Sequence, residues 1–135
     1  MAKKKTPRDK AWEWFSKYYR IKNSDSNGDL RCYTCDKVDE WKYMQTGHLL
    51  DGRYNSILFD EDCVKPQCYG CNCGRSGNKE VYIPKFIDRY GREFYESLRR
   101  KKNTTVKYSK KDYEEMRDNW KGKAKAMAIR KGIKI

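Results

Sequence analysis

Cys32-Tyr33-Thr34-Cys35, Gly47-His48 and Cys68-Tyr69-Gly70-Cys71-Asn72 are three short stretches that form one unit. Each cysteine pair is separated by two residues, the spacing of a tetrahedral thiolate metal site. Four sulfur ligands close such a site, so its zinc is structural. Cys32, Cys35, Cys68 and Cys71 are the expected ligands, with Cys63 and Cys73 near enough in sequence to compete for the second pair. The loop from Cys35 to Cys68 ties distant segments together without a large core. Structural zinc in a small module contributes on the order of 10 kcal/mol or more, far beyond what a few surface ion pairs supply.

Such a staple suits the rest of the chain. The 135 residues allow one domain, and 37% hydrophobic against 38% charged residues leaves little for an apolar core. The net charge of +13 is unevenly placed. Residues 1–10 carry Lys3, Lys4, Lys5, Arg8 and Lys10 against Asp9 alone. Seven basic residues and no acid occupy 99–111, and six basic residues and no acid occupy 121–135. Residues 21–79 hold eight basic and nine acidic residues, so the cysteine–histidine module is nearly neutral. Basic flanks around a neutral centre suit an anionic polymer held beside a cation site; the competing reading is charge kept for solubility. No run approaches the ~20 apolar residues of a membrane span, and no signal peptide opens the sequence. Six cysteines in this spacing then favour metal over disulfides, in a reducing cytoplasm.

Periodicity places the elements. Trp12, Phe15 and Tyr18/Tyr19 predict a helix over Ala11 to Arg20 with its aromatic face in the core, after a mobile basic arm at 1–10. Turn formers from Asn23 to Asp29 end it. Trp41 to Leu50 reads as a strand with His48 near its end. Ile83, Phe86/Ile87, Tyr90, Phe94 and Leu98 predict one helix through Gly91, and Pro84 places its start near Tyr82. Ser109 and Asp112 have capping-box spacing and open a last helix, with Tyr113, Met116, Trp120, Ala124 and Met127 as its apolar stripe. The basic stretch 121–135 reads as a handle that is separable from catalysis.

His48 is the only histidine. It reads as a general base, because imidazole titrates near neutrality and phosphodiester hydrolysis needs a deprotonated water. The alternatives are a zinc ligand in place of one cysteine, or a buried polar residue. Asn72 directly follows Cys71, so the knuckle would fix its amide oxygen as a ligand for a cation set against the scissile phosphate. Arg53 and Arg75 are candidates to neutralise the phosphate or leaving group, or are plain surface arginines.

Cys-x-x-Cys, a lone His and Cys-x-x-Cys-Asn resemble the zinc-stapled HNH (ββα-metal) endonucleases, notably phage endonuclease VII. The sequence is similar, more closely, to the lambdoid phage NinG/Rap recombination endonuclease family. That resemblance covers Ala11-Trp12-x-x-Phe15-Ser16-x-Tyr18, Gly47-His48, Leu58-Phe59-Asp60-Glu61, Gln67-Cys68-x-x-Cys71-Asn72, Ser76-Gly77-Asn78, Tyr82 and Ile87-x-x-x-Gly91-x-Glu93. It implies an α+β fold, a small zinc-stabilised HNH-like core with flanking helices. The arm would be 1–10, the nuclease domain 11–108, and the basic C-terminal helix and tail 109–135. It implies that His48 activates water and that Asn72 helps bind a catalytic Mg2+ or Mn2+. The substrate would be branched DNA, Holliday junctions and D-loops, in the cytoplasm of a bacterial host, with a homodimer as the natural way to make two cuts.

Two departures stand out. Endonuclease VII has an acid before its catalytic His, where this sequence has Gly47; Asp51 and Asn78 are then the candidates for the second metal ligand. The middle asparagine of HNH sites, which steadies the loop behind the His, falls at Cys63. The rival reading is a non-catalytic zinc module that binds nucleic acid, and a third is a protein–protein adapter.

Overall fold

The structure is a computed structural model that describes residues 4–135. Its elements in order are α1 (Pro7–Asn23), β1 (Asp29–Arg31), β2 (Val38–Glu40), β3 (Gln45–His48), α2 (Asn55–Leu58), β4 (Val64–Gln67), α3 (Lys79–Tyr90), α4 (Arg92–Lys102) and α5 (Lys110–Lys131). The strands form two antiparallel pairs, β1 with β2 and β3 with β4, and His48 lies opposite Val64 in the second. Helices dominate, so the expected α+β mixture holds with very small sheets.

The first helix starts earlier than its aromatic periodicity predicts. Thr6 and Asp9 form a reciprocal capping box and Pro7 takes the first helical position, so 7–10 are helical and not a mobile arm. Met1 to Lys3 of that arm lie outside the described residues. Phe15 and Tyr19 are buried, as a core face requires. The last helix begins as expected, with Ser109 and Asp112 capping each other. It packs along α1: the Trp120 ring lies 5.0 Å from Phe15 and 5.3 Å from Tyr18. Ala124 and Ala128 are buried, and Lys131 donates to the carbonyls of Ile21, Lys22 and Ser24 at the end of α1.

Two expectations about the central helix fail. It breaks at Gly91, whose φ of 93° and ψ of 150° suit only glycine, and α4 follows as a separate element. It also begins three residues before Tyr82, which leaves Pro84 inside α3. Strand β3 is shorter than the expected 41–50, because Trp41–Tyr43 forms a 3₁₀ turn, but His48 does end it.

The core is divided. One cluster gathers Ile21, Leu30, Trp41, Met44 and Ala128 around Cys32, Cys68 and Cys71. A second joins Leu49, Leu50, Ile57 and Cys63 to Tyr82, Phe86, Tyr95 and Leu98. Between them β3 is clamped: Tyr82 donates its hydroxyl to the Gly47 carbonyl at 2.9 Å. Small cores on both sides of one short strand make that strand the fixed point of the molecule.

Candidate active site and metal centre

The β1–β2 hairpin turns through the first cysteine pair. Cys32 N–H donates to the Lys37 carbonyl, and Asp36 takes a left-handed φ of 66° to close the turn. The second pair opens a π-helical turn at Gly70–Gly74. These turns bring the sulfurs of Cys32, Cys35, Cys68 and Cys71 within 4.8 Å of one another, with Cys35 Sγ and Cys68 Sγ 3.6 Å apart. Tetrahedral zinc with bonds of about 2.3 Å separates its sulfurs by about 3.8 Å, so this cluster can hold a structural metal ion such as zinc. The Cys71 N–H faces Cys68 Sγ at 3.4 Å and the Asn78 amide faces Cys71 Sγ at 3.7 Å. Both donors orient the sulfurs as second partners of a metal site.

The competing cysteines are elsewhere. Cys63 is buried in the second core cluster, where burial pushes its thiol up to about 12. Cys73 is exposed and faces the Gln45 side-chain oxygen at 3.3 Å.

His48 lines a cleft of about 580 Å³ that also includes Asn72, Asp51 and Arg53. Asn78 and Arg75 do not line it: Asn78 serves the cysteine cluster and Arg75 sits on a neighbouring surface. Four of the six candidates outside the cysteines therefore converge. Asn78 as a catalytic-metal ligand is not supported by where its amide lies.

The imidazole is held on two sides. Its Nε2 lies 3.2 Å from the Leu58 carbonyl. A carbonyl only accepts, so the neutral ring carries its proton there and keeps Nδ1 as the basic atom. The Trp12 ring stacks on it at 4.9 Å. Burial lowers the His48 pKa to about 4, and the cations of Arg53, Lys79 and Arg8 push it the same way. Contrary to the expectation from the sequence, the ring therefore does not titrate near neutrality but is neutral there.

Charge in the cleft is one-sided. Arg20, Lys42, Arg53 and Lys79 line it against a single carboxylate, Asp51. Lys79 donates to the His48 and Leu49 carbonyls and lies 3.5 Å from Asp51. Arg20 is held by the carbonyls of Ser16, Trp41 and Met44, and no carboxylate pairs with it among the described residues. Asn72 donates to the Gln45 side-chain oxygen at 2.6 Å, which leaves its own amide oxygen without an intrachain donor among the described residues.

Gly47 has a steric cause. A Cβ there would lie 1.9 Å from Gln67 Oε1, and Gln67 is wholly buried, its amide donating to Thr34 Oγ1 and the Gly77 carbonyl. No acid fits before His48. The loop behind His48 is also steadied differently from the HNH pattern. Asn55, and not position 63, accepts from Arg8 and donates to the Val106 carbonyl and Tyr113 hydroxyl.

The family described as Bacteriophage Lambda NinG protein matches residues 2–130. The chain belongs to the NinG family. Membership ties it to phage recombination. No curated protein and no solved structure matches the chain. No helix among the described residues is long and apolar enough to cross a membrane. Beyond the quoted NinG motifs, sequence reasoning missed Trp12 as the partner of His48 and missed Arg20, Lys79 and Asn55. Each acts across a long sequence gap and carries no local spacing signal.

Proposed function

We propose that this NinG protein is a metal-dependent DNA endonuclease of the HNH (ββα-metal) type, which hydrolyses phosphodiester bonds in branched recombination intermediates such as Holliday junctions and D-loops. The observation that carries the reading is His48, kept neutral beside Asn72 in a cleft where cations outnumber carboxylates four to one. The order β3, β4, π-helical turn and α3 supports it, since it sets the histidine on the first strand and the asparagine at the entry to the helical part.

In this mechanism His48 Nδ1 takes a proton from water, and the water oxygen attacks phosphorus as the bond to the leaving oxygen breaks. Arg53 and Arg20 stabilise the extra charge on the phosphoryl oxygens. Lys79 fixes the backbone carbonyls at His48 and Leu49, and so the pose of the base. The oxygens of Asp51 and Asn72 are hard donors that suit Mg2+ or Mn2+, which supplies charge neutralisation at the phosphate when bound. A two-fold dimer would place two such sites on a symmetric four-way junction.

The test is cleavage of a four-way junction and of a linear duplex with magnesium, for the wild type and His48→Ala. The reading expects junction cleavage that falls ~10²–10⁴-fold in the variant, with DNA affinity retained. Unchanged cleavage removes His48 from the mechanism. Binding without any cleavage by the wild type favours a zinc-containing nucleic-acid-binding module.

A further inference from the structure

Two exposed tyrosines sit next in sequence to residues of the cleft, Tyr43 before β3 and Tyr54 at the start of α2. Tyr43 closes the 3₁₀ turn before the strand, between cleft residues Lys42 and Met44, and is 62% exposed. Tyr54 follows cleft residues Gly52 and Arg53 and is 54% exposed. Neither hydroxyl makes a hydrogen bond among the described residues. Each ring has a lysine over it, Lys42 at 5.3 Å and Lys102 at 5.4 Å. The Tyr54 ring is fixed against the backbone of Gly52, where a Cβ would come within 2.3 Å of its edge. Trp12, by contrast, spends its face on His48.

Exposed rings paired with cations beside a phosphate-binding cleft are the elements of base stacking. Bases inside an intact duplex have their faces covered by neighbours, so only unpaired or unstacked nucleotides offer a face to these rings. We infer that Tyr43 and Tyr54 are stacking platforms for unstacked nucleotides beside the cleft that holds His48. They select DNA at branch points or single-stranded segments over continuous duplex. This rests on the nuclease reading of the cleft and adds the feature of the substrate that it recognises.

The experiment measures fluorescence anisotropy without divalent metal, in a His48→Ala background, so that no cleavage step enters. Three DNAs are compared: a four-way junction, a single strand and a linear duplex. Tyr43→Ala and Tyr54→Ala should each weaken junction and single-strand binding about tenfold, with less than a twofold change on the duplex. The phenylalanine variants should bind like the parent, since stacking needs the ring and not the hydroxyl. Tyr69→Ala is the control: Tyr69 is 66% exposed, has no cation over its ring among the described residues, and is not adjacent in sequence to any cleft residue. Metal content and thermal melting equal to the parent's exclude a folding defect. An equal loss on all three DNAs, an equal effect of Tyr69→Ala, or no loss at all overturns the platforms while leaving the nuclease reading standing. A parent that binds none of the three sinks both.

Discussion

The two nitrogens of the His48 ring have different tasks, because one faces a carbonyl and the other does not. Donation from Nε2 to Leu58 fixes the tautomer, and the Trp12 stack and nearby cations fix the charge. The folded pKa of about 4 lies below the ordinary value of 6.5, so folding favours the neutral ring. Between those two values the unfolded chain binds the proton more readily. Stability contributed here is therefore complete above about pH 6.5 and is lost as pH falls toward 4. The ring stays neutral, as the proposed base must be, throughout that window. His48 is the only histidine, so one set of imidazole NMR signals reports it without assignment. We expect a midpoint near 4 in the wild type and a rise toward 6.5 in Trp12→Leu, which uncovers the ring. A wild-type midpoint near 6.5 would show that the ring is solvated. His48, Asn72, Asp51 and Arg53 are legible in the sequence because each lies within a few residues of a recognisable motif or turn. Gly47 is legible only as a pattern, since the side chain that forbids a Cβ there is Gln67, on the neighbouring strand.

At the scale of elements, the break at Gly91 shows why periodicity alone misleads. Phe86, Tyr90 and Phe94 recur every four residues, and their rings do pack together, Phe86 with Tyr90 at 4.6 Å and with Phe94 at 5.9 Å. The same contacts serve one continuous helix or two helices joined at a glycine, and so the apolar pattern does not register the break. Gly91 and Gly122 separate the two uses of glycine. A Cβ added at either would have no atom within 4 Å, so alanine meets no clash at either. Gly91 sits at φ 93°, where alanine is strained, and Gly91→Ala should destabilise by about 1–3 kcal/mol. Gly122 lies inside α5 without a positive φ, and Gly122→Ala should stabilise by up to about 1 kcal/mol. Chemical denaturation of both variants checks the opposite signs. Two shifts of the same sign would mean that α3 and α4 join differently. The capping boxes at Thr6 and Ser109 have the same logic and the same spacing. Only the second stands out in the sequence, because basic residues around Thr6 make the first look like an arm.

For the whole molecule, the metal centre and the charge answer to different perturbations. Cys32→Ser should lose the metal and much of the fold, since three core residues of the first cluster belong to the four-cysteine group that could hold it. Cys73→Ser should keep both, and elemental analysis with circular dichroism distinguishes the two outcomes. The basic C-terminal stretch is not the separable handle that its composition suggests. Removing 121–135 takes Ala124, Ala128 and the Lys131 contacts from the body of the protein, so truncation confounds affinity with folding. Its charge has to be tested in place. Lys121, Lys123 and Lys125 are exposed and make no ion pair among the described residues; Lys121 lies over the Trp14 ring and Lys123 over Trp120. Glutamine at all three removes charge and two cation–ring contacts while keeping the buried Ala124 and Ala128 in place, and equal thermal melting checks the fold. If about six phosphates are neutralised in the wild-type complex, the log–log dependence of affinity on salt has a slope of about −5. Each lost contact makes it shallower by about 0.9. The triple variant should therefore fall to a slope of about −3 if all three lysines touch phosphate, with the single-turnover cleavage rate at saturating protein unchanged. A slope that stays at about −5 would assign the α5 charge to solubility and return DNA contact to the cleft and the other basic runs.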